Sequence, residues 1–211
     1  MQGSKKLVLL LVIVVIGLVG LGVGAFQLFN SEVVLEGYAT RSPDREPFRF
    51  EGNETHEDPV NREFGIVAPQ IDVNAPVFAN VDGSNEKNYL PNVLRGVAHY
   101  QHKKLDTVTV DGAVPGQVGN IFLFGHSQIP GGSLENYQGV FNNLEELIVG
   151  DIVKIYYQGE EYRYEIKSGQ VVTPDAVELL EHTETETLTL MSCWPLGLDW
   201  KRYVVRAERV S

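Results

Sequence analysis

The chain has 211 residues and is 43% hydrophobic, which is enough apolar material for one globular core. Its formal net charge at pH 7 is −11. Such an acidic chain repels the phosphates of DNA and RNA, so nucleic-acid binding is disfavoured as a function.

Residues 7–29 are predicted to form a transmembrane anchor. The residues from 7 to 26 carry no charge, and a helix of that length crosses a hydrocarbon core at about 1.5 Å per residue. Lys5 and Lys6 precede this run, so residues 1–6 are predicted to stay in the cytoplasm. A cleaved signal peptide, with small residues at 22–25 as its cleavage site, is the alternative. The run exceeds the usual signal core of about 7–15 residues, which favours an uncleaved anchor.

Residues 30–60 have low hydrophobicity and scattered proline and glycine. They are predicted to form a flexible stalk outside the cytoplasm. Residues 61–211 then form one folded domain. Its short apolar runs, separated by turn residues, predict a mainly β fold of about eight strands with short helices, closed as a barrel or packed as a sandwich.

Runs of β-branched and aromatic residues place several strands before residue 180. They fall at 64–78 as two runs broken by proline, and at 105–114, 120–124, 152–157, 162–166 and 171–172. Asp111 and Gly112 predict the turn of a hairpin over 105–114, and Gln158 and Gly159 predict the turn of a second hairpin.

Helical periodicity predicts two short helices and one helical turn. The first helix lies within 85–100, with Pro91 in its first turn, where proline is tolerated. The second covers 133–149, and the helical turn lies at 176–180.

Two predicted strands end in side chains with acid–base or nucleophilic chemistry. The strand over 120–124 runs into His126, and the strand over 187–191 runs into Cys193, the only cysteine of the chain. Pro195 stops the second strand because it has no N–H for the sheet. Arg202 begins the next apolar run. A thiol, an imidazole and a guanidinium at neighbouring strand ends can form a site for acyl transfer, as nucleophile, proton carrier and oxyanion stabiliser.

Each of these residues also has a purely structural interpretation. A lone cysteine is often a small buried apolar residue, a histidine is often satisfied by a carbonyl in the core, and an arginine often pairs with a surface carboxylate. His99 is the second candidate for the imidazole. One cysteine and scattered histidines give no metal-ligand spacing, so no metal site is predicted.

The three motifs together resemble the sortases, membrane-anchored cysteine transpeptidases of bacterial surfaces. The resemblance is carried by Gly125, His126 and Ser127 after an apolar strand, by the run from 187 to 193, and by the run from 201 to 207. The motifs follow the family order of histidine, cysteine and arginine, and the resemblance extends from residue 64 to the C-terminus. Ser192 stands where many members have threonine before the cysteine.

This resemblance implies an eight-stranded sortase β-barrel and assigns three site residues. Cys193 would be the nucleophile, His126 would protonate the departing amine, and Arg202 would donate hydrogen bonds to the carbonyl or the oxyanion. No cofactor is expected. Calcium is bound by some sortases, but no calcium-binding motif supports a site in this sequence.

The resemblance also implies a substrate and a location. The enzyme would cleave a sorting signal like Leu-Pro-x-Thr-Gly near the C-terminus of secreted proteins and pass the acyl group from a thioester to an amine of a cell-wall precursor or another protein. The catalytic domain would lie outside the cell membrane. A non-catalytic anchored β-domain for adhesion or scaffolding is the alternative.

Two features bear on the subfamily. The sequence ends directly after its last predicted strand, which favours a class D or class E type over the pilin-polymerising type. Pilus-building sortases carry an Asp-Pro-aromatic lid over the cleft, whereas Asp58 and Pro59 are followed here by Val60. This favours a stalk over a lid.

Overall fold

The structure is a computed structural model that describes residues 45–50, 58–105, 108–127 and 137–210. The anchor predicted over 7–29 lies outside these residues, as does most of the predicted stalk. Among the helices in the described ranges, none is both long and apolar enough to cross a membrane.

The described residues form ten strands and a few short helices. The strands are β1 (Phe64–Ala68), β2 (Val73–Val81), β3 (Val97–Tyr100), β4 (Lys103–Lys104), β5 (Thr109–Val110), β6 (Gly119–Phe124), β7 (Ile152–Tyr157), β8 (Glu160–Val172), β9 (Glu186–Trp194) and β10 (Lys201–Val210). The helices are α1 (Glu86–Val93) and 3-10 turns at Pro69–Ile71, Leu144–Glu146 and Val177–Leu180.

Eight of these strands close into a barrel in the order β1, β2, β3, β6, β9, β10, β8, β7. The remaining two, β4 and β5, pair as a small separate sheet. The predicted mainly β, eight-stranded barrel is therefore confirmed. Neighbouring strands are antiparallel except at two places, where β2 runs parallel to β3 and β6 runs parallel to β9.

Alternation of side chains along the strands separates two apolar clusters. Leu188 and Leu190 of β9 join a core cluster to which all eight barrel strands contribute, so this cluster fills the barrel interior. A second cluster packs the outer face of β3 and β6 against α1 and the Val177–Leu180 turn. Because β6 is buried on both faces, its sequence is continuously apolar after Asn120. Each large side chain buried in this way contributes about 1.5–3 kcal/mol.

The first helix is shorter than predicted, and its proline is placed differently. Asn85 caps α1 by accepting the backbone N–H of Lys87 at 3.0 Å, which sets the start of the helix at Glu86. Pro91 therefore lies inside the helix, not in its first turn, and that prediction is wrong. α1 ends at Val93, and Val97 belongs to β3.

The hairpin predicted over 105–114 has its turn at a different place. Strands β4 and β5 pair, and Leu105 N–H donates to the Val108 carbonyl at 2.8 Å, so the turn precedes β5. Asp111 lies after β5, where its carboxylate accepts the backbone N–H of Asn120 at 2.6 Å. The Asp111 side chain, which indicated a local turn, thus forms its hydrogen bond with Asn120, nine residues further along the chain.

The helix predicted over 133–149 is wrong for the described part, residues 137–149. This part consists of turns and the 3-10 turn at Leu144–Glu146. Phe141 and Leu144 belong to the core cluster inside the barrel, and Phe141 N–H donates to the His126 carbonyl at 3.2 Å. In an α-helix, the Phe141 N–H would instead donate to the carbonyl of residue 137.

The second predicted hairpin is confirmed, with one change. Strands β7 and β8 pair around Gln158 and Gly159, both at positive φ. The separate strand predicted at 171–172 is the continuation of β8, which runs to Val172 because β10 pairs with it from Arg163 to Val172.

Residues 45–50, within the segment predicted as a stalk, lie against the barrel. Asp151 is fully buried and accepts two bonds from the Arg45 guanidinium, at 2.7 and 2.6 Å, and one from the Phe48 N–H at 2.6 Å. Ile152 N–H donates to the Phe48 carbonyl at 2.9 Å. The hydrogen bond with Asp151 raises the pKa of Arg45 above its ordinary value.

Replacing Arg45 with alanine is expected to lower the free energy of unfolding by about 3 kcal/mol, because it leaves a buried carboxylate without its charged partner. Urea unfolding followed by tryptophan fluorescence measures the loss. Arg62→Ala is the matched control, since the Arg62–Asp58 pair is exposed on both sides and should cost less than about 1 kcal/mol. Equal losses in the two variants would contradict a stabilising role of the contact between residues 45–50 and the barrel.

Candidate active site

The pairing of β9 with β10 places Arg202 directly opposite Cys193. Side chains of directly opposed residues lie on the same face of a sheet and contact each other. Cys193 is the second-last residue of β9, and Arg202 is the second residue of β10. Backbone carbonyls hold the guanidinium at this strand end, because it donates to the carbonyls of Asp199 at 2.9 Å and Lys201 at 2.8 Å.

The parallel pairing of β6 with β9 brings His126 to the same level. Phe124 is opposite Met191, so the residues two positions further on, His126 and Cys193, leave the two strands side by side. Two hydrogen bonds fix this end of the pair. Gly125 N–H donates to the Met191 carbonyl at 3.1 Å, and Ser127 Oγ donates to the Cys193 carbonyl at 2.9 Å.

The three predicted site residues line one groove on the outside of the barrel, with a volume of about 550 Å³. Its walls are mostly apolar. They come from α1, from the outer face of β6 and from the Val177–Leu180 turn. Cys193 is partly exposed within it. Such a groove suits an extended peptide with at least one apolar side chain, next to a thiol.

Buried polar contacts behind the groove hold its walls in place. Asn120 is fully buried and donates to the carbonyls of Leu179 at 2.8 Å and Glu181 at 3.1 Å, while its side-chain oxygen accepts from Thr189 at 2.7 Å. The Val177–Leu180 turn is thereby tied to β6 and β9. Sequence reasoning missed Asn120, whose only signal is a polar residue at the start of an otherwise apolar strand.

Electrostatics in the groove favour uncharged forms of the thiol and the imidazole. Burial raises the pKa of Cys193, and Asp199 raises it further, whereas the Arg202 guanidinium lowers it. Burial lowers the pKa of His126. Near neutral pH the groove therefore contains mainly a thiol and a neutral imidazole, which can exchange a proton during a reaction.

Tyr89 of α1 is a second residue that sequence reasoning missed. Its ring packs edge-on against Phe124 with centroids 5.7 Å apart, and it lines the groove near Cys193 and Arg202. Burial, and next the negative charge of Glu86, raise the pKa of its phenol. The helical periodicity over 85–100 marked this position as apolar-facing but not as part of a site.

His99, the second candidate for the imidazole, lies elsewhere. It is fully buried, and its Nε2 forms a hydrogen bond with the Ala113 carbonyl at 2.8 Å. Its ring contacts Phe64 of the barrel interior, with centroids 5.6 Å apart. His99 is thus a core histidine, whereas His126 lines the groove.

Burial of His99 predicts loss of stability in acid. Burial lowers the pKa of this imidazole, with the bond to Ala113 opposing the shift. The unfolded chain, with an ordinary pKa of about 6.5, then takes up a proton that the folded chain does not. Stability is therefore complete above about pH 6.5 and falls below it, by up to about 1.4 kcal/mol per pH unit for this group.

Urea unfolding at pH 8, 6 and 5 measures this dependence. His99→Leu should flatten it, whereas the exposed His102→Gln should leave it unchanged. An unchanged slope in His99→Leu would show that other groups, such as His126, carry the acid sensitivity.

A closed eight-stranded β-barrel with a cysteine, a histidine and an arginine at adjoining strand ends on one groove defines a narrow class of folds. The family profile described as Sortase domain matches residues 66–210. The chain belongs to the sortase family.

Relatives of known type agree with this assignment. Sortase A of Bacillus anthracis is 30% identical over 146 residues, which cover 69% of this chain and 59% of that protein, less than two thirds of its length. Among solved structures, a lid mutant of sortase A from Corynebacterium diphtheriae has a TM-score of 0.54 at 26% identity, covering 75% of each chain. A lid mutant of Streptococcus agalactiae sortase C1 has a TM-score of 0.53 at 26% identity, covering 72% of each chain. Since these relatives include both sortase A and sortase C1, they do not distinguish between the sortase subfamilies.

Proposed function

We propose that this chain is a cysteine transpeptidase that cleaves a C-terminal sorting signal of the Leu-Pro-x-Thr-Gly type and transfers the protein to an amine of a cell-wall precursor or another protein. The observation that carries the proposal is the grouping of Cys193, Arg202 and His126 on one groove. Membership of the sortase family supports it. The predicted membrane anchor would keep the domain beside the emerging substrate.

The chemistry follows from the neutral pair. The Cys193 sulfur attacks the scissile carbonyl carbon while the thiol proton passes to His126. Arg202 donates hydrogen bonds to the oxyanion that forms. The C–N bond then breaks, and His126 gives its proton to the departing amine, leaving a thioester on Cys193.

The second half reverses these steps with a new amine. The incoming amine attacks the thioester carbonyl and gives a proton to His126. The C–S bond breaks, the new amide is released, and the sulfur regains its proton. No cofactor takes part in this sequence.

A library of peptides of the Leu-Pro-x-Thr-Gly type, incubated with the chain and an amine such as hydroxylamine, tests the proposal. The expected result is a hydroxamate product and a transient acyl-enzyme of matching mass on Cys193. Failure of every peptide to form an acyl-enzyme would favour the non-catalytic adhesion or scaffolding domain. The partial exposure of Cys193 in the groove supports catalysis, since a structural cysteine would be expected in the core.

His126→Ala is expected to lower kcat by about 100-fold or more, because among the described residues that line the groove it is the only imidazole, the group whose ordinary pKa suits proton transfer near neutral pH. His99→Leu should lower stability while its kcat stays within a few-fold of the wild type at a temperature where it is folded. Peptide cleavage by both variants, with thermal unfolding as the folding check, measures the difference. Activity lost in His99→Leu and kept in His126→Ala would reverse the assignment.

A further inference from the structure

The segment 137–147 contacts His126 and Trp194, the residue after Cys193, without lining the groove. It places Phe141 and Leu144 in the barrel core and precedes β7 in the chain. Phe141, Leu144 and Leu147 are buried, and they anchor the segment to the core. The segment lies behind the strand ends that carry His126 and Cys193.

Its contact with the histidine is through the backbone. Phe141 N–H donates to the His126 carbonyl at 3.2 Å. Gly125, just before His126, packs closely against the segment, since a Cβ at this position would lie 2.6 Å from the Phe141 ring and 2.8 Å from Val140. The strand end that carries the imidazole is therefore held firmly against residues 140 and 141.

Its contact beside the cysteine is made by one carboxylate. The Trp194 indole N–H donates to Glu145 Oε2 at 2.9 Å, and Trp194 is only 3% exposed. Trp194 directly follows Cys193, so an anchored indole restricts the backbone that carries the thiol. From the other side, Ser127 Oγ holds the Cys193 carbonyl.

The surroundings of Glu145 are unusual for an acid. Burial raises its pKa, the bond from Trp194 lowers it, and the neighbouring Glu146 raises it. For Tyr203 of β10, burial and next the charge of Glu145 raise the pKa of the phenol. A half-buried carboxylate costs desolvation, and the bond that offsets this cost is the one to the residue after Cys193.

We propose that Glu145 is a positioning residue: as a hydrogen-bond acceptor for Trp194 it holds the Cys193 thiol in register with His126, through the segment that also holds His126. This inference rests on the proposed function for its kinetic consequence. Its structural consequence, a local restraint on the end of β9, is independent of the substrate.

Four single variants of the full chain, and one double variant that combines two of them, test it. Glu145→Ala removes the acceptor, Glu145→Gln keeps an acceptor oxygen without the charge, and Trp194→Phe removes the donor from the other side. Glu146→Ala is the matched control, because this neighbour is an exposed carboxylate in the same turn.

The first measurement is peptide cleavage. Glu145→Ala should lower kcat by about tenfold with KM nearly unchanged, since a misplaced nucleophile affects the reaction step more than binding. Glu145→Gln should recover activity to within about threefold of the wild type. Trp194→Phe should resemble Glu145→Ala, and adding Glu145→Ala to it should cause no further loss. Equal losses in the alanine and glutamine variants, or additive losses in the double variant, would overturn the inference.

The second measurement is amide hydrogen exchange, which needs no substrate. Glu145→Ala should speed exchange at residues 192–194 by about fivefold, the effect of losing one net hydrogen bond, and leave β1 and β2 unchanged. Unchanged exchange at 192–194, or faster exchange throughout the barrel, would overturn it as well. If the wild type cleaves no peptide, the proposed function fails, and the exchange result alone decides whether Glu145 positions the end of β9.

Discussion

Cys193→Ala is expected to abolish both cleavage of a sorting peptide and transfer to an amine, a loss of more than about 1000-fold, while the barrel stays folded. The thiol is the only atom group in the proposed mechanism that can form the covalent intermediate. It lies near the end of β9 and is partly exposed, so its removal leaves little empty volume in the core.

Hydroxamate formation and intact-mass analysis measure this effect on one peptide, and thermal unfolding checks the fold. The variant should show no acyl-enzyme mass and should unfold within a few degrees of the wild type. A Cys193→Ala protein that still forms hydroxamate from the same peptide would remove the basis of the proposed function.

Arg202→Ala is expected to lower kcat/KM by at least about 100-fold, the scale seen when one oxyanion donor is lost. Arg202 lies opposite Cys193, and carbonyls of Asp199 and Lys201 hold its guanidinium at this strand end. Arg202→Lys should recover little activity, because one ammonium cannot reproduce the two-point contact of a planar guanidinium.

Arg206→Ala is the matched control for this prediction. Arg206 shares the outer face of β10 but is opposite Thr189, four positions along and about 13 Å from the end that carries Arg202. Its kcat/KM should stay within a few-fold of the wild type. All three variants can be measured on one fluorogenic peptide, and equal losses at Arg202 and Arg206 would contradict the geometry.

The proposed mechanism starts from the neutral thiol of Cys193 and the neutral imidazole of His126. Burial raises the pKa of Cys193 and lowers that of His126, so ionised forms of both groups together are rare at any pH. Proton transfer must then accompany attack on the carbonyl. Accurate placement of the thiol relative to the imidazole matters more for such a site than for a preformed ion pair.

Local features of the sequence located the candidate site residues at strand ends, and the resemblance to the sortases assigned their roles. Pro195 cannot continue a strand, so it located the end of β9 and the exposed position of Cys193 beside it. The apolar run before Gly125 located the end of β6 in the same way. The position of His126 directly after an apolar strand, within the motif that resembles the sortases, then favoured it over His99 as the candidate imidazole.

Local features failed where distant residues supply the partner. The periodicity over 133–149 indicated a helix, but the barrel interior takes Phe141 and Leu144, and His126 takes the Phe141 N–H. Asp111 and Gly112 indicated a turn, but Asn120 takes the Asp111 carboxylate. In both places a tertiary hydrogen bond replaced the local one that the pattern implied.

The sequence by itself determined which side chains end the strands and that the domain is mainly β, because proline, glycine and apolar runs act on their own neighbours in the chain. Only the tertiary structure decided that Cys193 lies opposite Arg202 and beside His126. That arrangement depends on the register of β9 against β10 and on the parallel pairing of β9 with β6, a strand more than sixty residues earlier. Register is set by which faces are buried across the whole barrel, and no local stretch of sequence contains that information.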